Sequence, residues 1–272
     1  MEKTAKKKIL DTRKIRKAKF ATTKSSLQML TCYDFQTAQM LNTTDIDLLL
    51  IGDSAGNVVL GKDTTVEVTL EEMIMLGSAV KRGAPEKFTV VDMPFGSYST
   101  FDEAIKNATK LFKETKCESI KLEGAFDYQL EIIKRLTQSG IPVMGHIGLT
   151  PQSVHELGGY YTHGKNKEDQ EKLMAEAIKL EKAGCFAIVL ECVQEDISSK
   201  ITKTLSIPTI GIGAGRGTDG QVLVINDLLK MGPNTPPKFC TPIADLFQLK
   251  RDLITEYIND QRESDNAQLS HH

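Results

Sequence analysis

The 272-residue sequence contains no apolar run near the roughly 20 residues that a membrane-spanning helix needs, so no membrane segment is expected. Its N-terminus is rich in lysine but lacks the apolar centre of a signal peptide, and a cytoplasmic location is expected. Only five cysteines are present, an odd number without framework spacing, and most sit in or beside apolar runs. That argues against a disulfide scaffold and for reduced thiols. No Cys/His cluster shows zinc spacing, no dinucleotide-binding glycine fingerprint follows the first predicted strand, and repeats and low-complexity tracts are missing.

Charge is nearly balanced at −2, but it is unevenly spread: residues 1–24 hold ten Lys/Arg against two acidic residues, and the remainder holds 24 against 34. A basic arm of this kind can bind nucleic acid. Without aromatic interleaving or a nucleic-acid motif, a solvated helix or a subunit contact is the better expectation. His271-His272 resemble a purification-tag remnant and are set aside.

What the sequence does contain is a recurring unit, a short apolar run closed by residues that can do chemistry. Leu48-Leu49-Leu50-Ile51 runs like a strand buried on both faces and stops at Gly52-Asp53-Ser54-Ala55-Gly56. Seven other stretches have a similar form. Leu27 to Tyr33 ends at Asp34, Phe88 to Val91 at Asp92, and Ser119-Ile120 leads into Lys121-Leu122-Glu123-Gly124. Ile141 to Gly145 ends at His146, Phe186 to Leu190 at Glu191, and Gln221 to Ile225 at Asn226, while Pro208-Thr209-Ile210 opens into Gly211-Ile212-Gly213-Ala214-Gly215.

Amphipathic stretches fill the gaps between these runs. Thr69-x-x-Glu72 and Thr100-x-x-Glu103 read as capping boxes for helices running to about Arg82 and Glu114. Further helices are expected over residues 127–139, 168–183, 195–205, 227–231 and 243–262, and Thr150-Pro151 suits an N-cap followed by the first helical position. Gly232 to Pro237 is the clearest linker, separating the last helix from the rest, and the polar tail 264–272 is expected to fray.

Near-continuous apolar strands alternating with helices indicate parallel strands covered on their outer faces. Eight such units in a chain of this length predict a closed (β/α)8 TIM barrel, an α/β fold in a single domain over 1–272, with a basic N-terminal extension over 1–26 and a C-terminal helix over 243–262. An open doubly wound sheet is the structural competitor. The glycine run at 211–215 reads equally as a tight turn or as a ligand contact.

In a parallel barrel the C-terminal strand ends share one face, so Asp53, Asp92, Lys121, Glu123, His146 and Glu191 are expected to meet there. Three carboxylates crowded together need a compensating cation, and oxygen ligands favour a hard ion such as Mg2+. Most of these residues also have a plainer reading. Asp53 could cap the next turn, Lys121 and Glu123 could form a structural ion pair, His146 could be a hydrogen-bonded core residue, and Glu191 could be a cap or a loop salt bridge. Glu191 follows five apolar residues, an environment expected to raise its pKa toward that of a general base. A metal held against an α-keto acid with a carboxylate nearby suits carbon–carbon chemistry through an enolate.

The residues between about 27 and 247 resemble those of the ketopantoate hydroxymethyltransferase family. The resemblance rests on residues 29–34 (MLTCYD), 52–54 (GDS), 81–85 (KRGAP), 92–95 (DMPF), 121–124 (KLEG), 145–153 (GHIGLTPQS), 190–193 (LECV), and 211–215 (GIGAG) with 219–221 (DGQ). It implies a Mg2+-dependent barrel enzyme that moves a hydroxymethyl group from 5,10-methylenetetrahydrofolate to 3-methyl-2-oxobutanoate, giving ketopantoate for pantothenate synthesis. By the same resemblance, Asp53 and Asp92 are metal ligands, Glu123 supports the metal through water, Ser54 and Lys121 hold the keto acid, His146 lies close to it, and Glu191 removes its C3 proton. A cytoplasmic homodecamer is implied as well. The sequence departs from the family pattern at 60–69, at Gly124-Ala125 and at 160–165, where Lys165 replaces a usual Arg. The competing functions are a Mg2+-dependent lyase or aldolase of the phosphoenolpyruvate mutase and isocitrate lyase type, and a non-catalytic assembly protein.

Overall fold

The computed structural model describes residues 10–20 and 26–269. Its centre is a closed barrel of eight parallel strands in sequence order: β1 (Leu27–Thr31), β2 (Leu48–Ile51), β3 (Phe88–Asp92), β4 (Ser119–Glu123), β5 (Val143–Gly148), β6 (Ala187–Glu191), β7 (Thr209–Ile212) and β8 (Gly220–Leu223). β8 pairs with β1, with Leu27 opposite Gly220 and Leu30 opposite Leu223, which closes the ring. Every strand is thus bonded on both edges, and none is left open to another chain. By contacts the chain divides into two compact units, Met1–Leu223 and Val224–His272, and the first holds the whole barrel.

In the first unit the helices are α1 (Thr12–Ala18), α2 (Phe35–Asn42), α3 (Ala55–Val58), α4 (Leu70–Gly83), α5 (Phe101–Thr115), α6 (Asp127–Gln138), α7 (Val154–Leu157), α8 (Lys167–Ala183) and α9 (Glu195–Thr204). The second unit has α10 (Ile225–Leu228) and α11 (Leu246–Leu269). The Thr69 capping box forms as expected: Glu72 N donates to Thr69 Oγ1 at 3.2 Å, and Thr69 N donates to Glu72 Oε2 at 2.8 Å. At α5 the expected box is not made: the Thr100 hydroxyl donates to the Glu103 carboxylate at 2.7 Å but accepts no backbone amide. Thr150-Pro151 opens a 3-10 turn, Pro151–Ser153, rather than a full helix.

The helical expectations for the second unit shift. The short helix starts at Ile225 rather than 227, so Asn226 is helical instead of closing a strand. The last helix starts at Leu246 and continues to Leu269, so the polar residues 264–269 extend it instead of fraying. Residues 270–272 lie outside the described residues. No helix among the described residues is long and apolar enough to cross a membrane.

Alternation with period two sorts each strand into an inner and an outer face. Leu27 and Met29, Leu48 and Leu50, Phe88 and Val90, Met144, Ala187 and Val189, Ile210 and Ile212, and Val222 form one apolar cluster inside the barrel. Phe88 and Phe186 meet edge to face at its base, with ring centroids 5.6 Å apart. Ile15 of α1 joins this cluster and is fully buried.

The basic arm is therefore not a solvated helix where it is described. Around Ile15, the Lys19 ammonium donates to Thr202 O at 2.6 Å and to Asp219 Oδ2 at 2.8 Å. Residues 1–9 and 21–25 lie outside the described residues. All five cysteines are unpaired, and only Cys192 is not fully buried.

Candidate active site

The inner rows change from hydrocarbon to charge as they approach the C-terminal ends of the strands. On β3 the row Phe88, Val90 continues to Asp92, on β5 Met144 is followed by His146, and on β6 Ala187, Val189 leads to Glu191. β4 supplies Lys121 and Glu123 on the same face. Parallel pairing sets Asp92 beside Lys121 and, two residues further along β4, Glu123 beside His146, so four ionisable groups gather at this end of the barrel. β5 runs two residues beyond His146, which makes His146 an inward strand residue rather than a loop residue.

Lys121 Nζ stands 3.1 Å from Asp92 Oδ2 and 3.7 Å from Glu123 Oε1. His146 Nδ1 is 3.3 Å from Glu123 Oε1, and its Nε2 is 3.2 Å from Glu191 Oε2. Both are ion-pair separations, and Nε2 makes no hydrogen bond of good geometry. Burial and the Lys121 charge both disfavour the imidazolium, but Glu123 and Glu191 outweigh them and hold the ring's pKa up at about 9. Lys121 Nζ also lies 3.2 Å from Nδ1, a hydrogen bond to the neutral ring and a like-charge contact with the imidazolium. The surrounding carboxylates make the latter tolerable. Burial also opposes the Lys121 ammonium, yet Asp92, Glu123 and Asp53 together raise its pKa above the ordinary lysine value.

Asp53 follows β2 and is buried, but it does not cap the next turn. Its Oδ2 accepts from Gln152 Nε2 at 2.7 Å, while its own amide donates to Asp92 Oδ2 at 3.1 Å. Burial first, then the Glu123 and Asp92 charges, pushes the Asp53 pKa well above the carboxylate norm. Asp92 is raised chiefly by burial, against the opposing pull of Lys121. Ser54 immediately precedes α3 and shares a 2.8 Å hydrogen bond with the Tyr33 hydroxyl. Glu191 is the most open of the group, its side chain 18% exposed against 3–4% for Glu123 and Lys121.

The donor set fits a hard cation held by few protein ligands. Asp92 Oδ1 is buried with no hydrogen-bond partner, and an anionic oxygen in that condition calls for a positive charge. Glu123 is already engaged, with Oε1 toward Lys121 and His146 and Oε2 accepting from Gln152 N at 3.1 Å. Among the described residues no three His, Cys, Asp or Glu side chains are arranged to hold a metal ion directly. Three direct carboxylate ligands are therefore not what this geometry offers, whereas a pair of carboxylates is the usual protein share of a Mg2+ site.

The 211–215 glycine run is used for close packing. A Cβ at Gly211 would stand 2.7 Å from Thr218 Oγ1, and one at Gly215, where φ is +73°, would collide with the Glu195 side chain.

The ketopantoate hydroxymethyltransferase family model matches residues 10–266. The chain belongs to this family. A 3-methyl-2-oxobutanoate hydroxymethyltransferase from Leptospira interrogans is 46% identical over 235 residues, 86% of this chain and 89% of that one. The enzyme of the same name from Thermotoga maritima is 46% identical over 244 residues, covering 89% and 90%. Among solved structures, 2,3-dimethylmalate lyase has a TM-score of 0.60 at 14% identity, covering 93% of this chain and 88% of that one. Phosphonopyruvate hydrolase in complex with oxalate and Mg2+ has a TM-score of 0.58 at 9% identity, covering 78% and 80%. These two likenesses show the barrel alone.

Three residues near the site had no role assigned from sequence: Tyr33, Tyr98 and Gln152. Tyr33 and Gln152 sit inside motifs that carry the family resemblance, and that was their only signal. Tyr98 lies outside those motifs, and its 2.5 Å bond to Gln152 Oε1 appears only in the fold.

Proposed function

We propose that this chain transfers the one-carbon unit of 5,10-methylenetetrahydrofolate to 3-methyl-2-oxobutanoate as a hydroxymethyl group whose oxygen comes from water, giving ketopantoate and releasing tetrahydrofolate. The observation that carries the reading is the buried cluster of Asp53, Asp92, Lys121, Glu123 and His146 at the C-terminal mouth of the barrel, with Asp92 Oδ1 unpartnered. Asp53 and Asp92 would hold Mg2+, and Glu123, engaged by Lys121 and His146, would reach it through water. Bound Mg2+ supplies positive charge that favours the enolate form of a keto acid.

The chain's own groups do the remaining work. Lys121 offsets negative charge on the keto acid and keeps its proton, since the neighbouring carboxylates favour the ammonium. Ser54, steadied by Tyr33, orients the substrate from the β2 side. Glu191 takes the C3 proton, and the adjacent imidazolium of His146 holds its carboxylate in place. The folate enters on the open side, where Glu191 keeps its exposure. A homo-oligomer, ten copies by the family resemblance, suits the exposed apolar residues Leu249, Leu253, Ile254, Tyr257 and Ile258 of α11.

The test is turnover of the two substrates by metal-free protein with and without added Mg2+. Product formation that needs Mg2+ supports the reading. Cleavage of a keto acid without folate would favour the lyase alternative, and no turnover of either kind would favour an assembly protein.

A further inference from the structure

Gln152 follows β5 in the 3-10 turn Pro151–Ser153 and is buried, yet it makes four hydrogen bonds to groups from three other strand ends. Its Nε2 donates to Asp53 Oδ2 at 2.7 Å and to Met93 O at 2.9 Å. Its Oε1 accepts from Tyr98 Oη at 2.5 Å, and its backbone N–H donates to Glu123 Oε2 at 3.1 Å. The amide can stand only one way round. Turned over, Oε1 would face a carboxylate and a carbonyl, neither of which can donate, and the Tyr98 hydroxyl would lose its acceptor.

We infer that Gln152 is the positioning residue of the metal site, setting the orientation of Asp53 and Glu123 before any cation arrives. The inference rests on the reading of Asp53 and Asp92 as Mg2+ ligands. A carboxylate that is free to rotate spends entropy when it is captured, whereas one pinned by a buried amide presents a fixed oxygen. Gln152 pins Asp53 by one oxygen and holds one oxygen of Glu123, joining the β2 and β4 ends to β3 through Met93 O. Methionine has a similar length but neither the donor nor the acceptor, and no charge of its own, so it removes these side-chain contacts without adding a carboxylate. Tyr98 in turn fixes the amide, because its hydroxyl occupies Oε1.

The experiment is calorimetric titration of Mg2+ into the full-length, metal-free chain, for native protein, Gln152→Met and Tyr98→Phe, with circular dichroism and urea denaturation alongside. For Gln152→Met the Mg2+ dissociation constant should rise by about 10- to 100-fold, the usual cost of losing an outer-sphere partner. Tyr98→Phe should move it in the same direction by only several-fold, and it decides the matter if Gln152→Met does not fold. Turnover measured against Mg2+ concentration should recover to within about threefold of native at saturating metal, because positioning affects capture of the ion rather than the chemical step. A merely structural role would lower stability while leaving the dissociation constant of the folded protein unchanged. That result, or a loss of turnover that saturating Mg2+ does not repair, overturns the inference. Native protein that binds no Mg2+ overturns the metal reading itself and this inference with it.

Discussion

Replacing Lys121 with methionine keeps the length of the side chain and removes its charge, which isolates what the ammonium does among the carboxylates. In the native barrel it lies 3.1 Å from Asp92 Oδ2 and 3.7 Å from Glu123 Oε1. At an effective dielectric of about 20 each attraction is worth about 5 kcal/mol before desolvation is counted. Relief of the buried amine's own desolvation offsets several kcal/mol, and the net cost of breaking such a pair from one side is about 3–5 kcal/mol. For a barrel of this size that corresponds to a fall in melting temperature of about 10 °C, within the margin of a folded domain.

The cost should depend on pH. Asp92 already has a raised pKa because of burial, and losing Lys121 raises it further. A carboxylate whose folded pKa lies above its unfolded one contributes stability at low pH that is lost as pH rises, so the deficit should be larger at pH 8 than at pH 5. The assay is urea denaturation of native and Lys121→Met protein in chelator at both pH values, followed by turnover with Mg2+. Turnover of the variant should stay impaired at saturating Mg2+, since the keto acid has lost its cationic partner. A variant as stable as native in chelator at pH 8, or a deficit equal at both pH values, would refute the reasoning.

Glu191→Gln keeps size but cannot accept a proton; deuterium exchange into C3 of 3-methyl-2-oxobutanoate and transfer to folate should both fall by about 100-fold or more, and exchange at the native rate would remove Glu191 from the role of base. Asp53→Asn and Asp92→Asn should raise the Mg2+ requirement well beyond Glu123→Gln, and equal effects in a Mg2+ titration would favour three direct ligands. Full activity in excess chelator would sink the metal assignment altogether. His146, held at about 9 from an ordinary 6.5, contributes stability that is complete below pH 6.5 and is lost as pH rises through 9. Metal-free native protein should therefore lose stability across pH 6.5–9, and His146→Gln should flatten that part of the profile in thermal denaturation.

Much of the barrel was legible in the linear sequence because its signals are local. Apolar runs of strand length, and a capping box such as Thr69-x-x-Glu72, depend on residues within a few positions of one another. Element ends were less legible. His146 read as the residue after a strand, but β5 extends to Gly148 because its pairing with β6 continues to Glu191. Thr100-x-x-Glu103 has the letters of a box, yet the Thr100 hydroxyl accepts no backbone amide, an outcome that letters do not encode.

By itself the sequence determined which residues could face inward together. Period two places Phe88, Val90 and Asp92 on one side of a strand, and Lys121 with Glu123 likewise, whatever surrounds them. Tertiary structure alone decided their partners. Asp53 meets a side chain 99 positions away, Lys121 leans toward Asp92 more closely than toward Glu123 two residues on, and Ile15 of a basic arm ends inside an apolar core. Those outcomes follow from closure of the ring and the register of each strand pair, which bring distant residues into contact, as where Gln152 Nε2 meets Asp53 Oδ2 at 2.7 Å. No periodicity along the chain carries that information, because register is set by the packing of all eight strands at once.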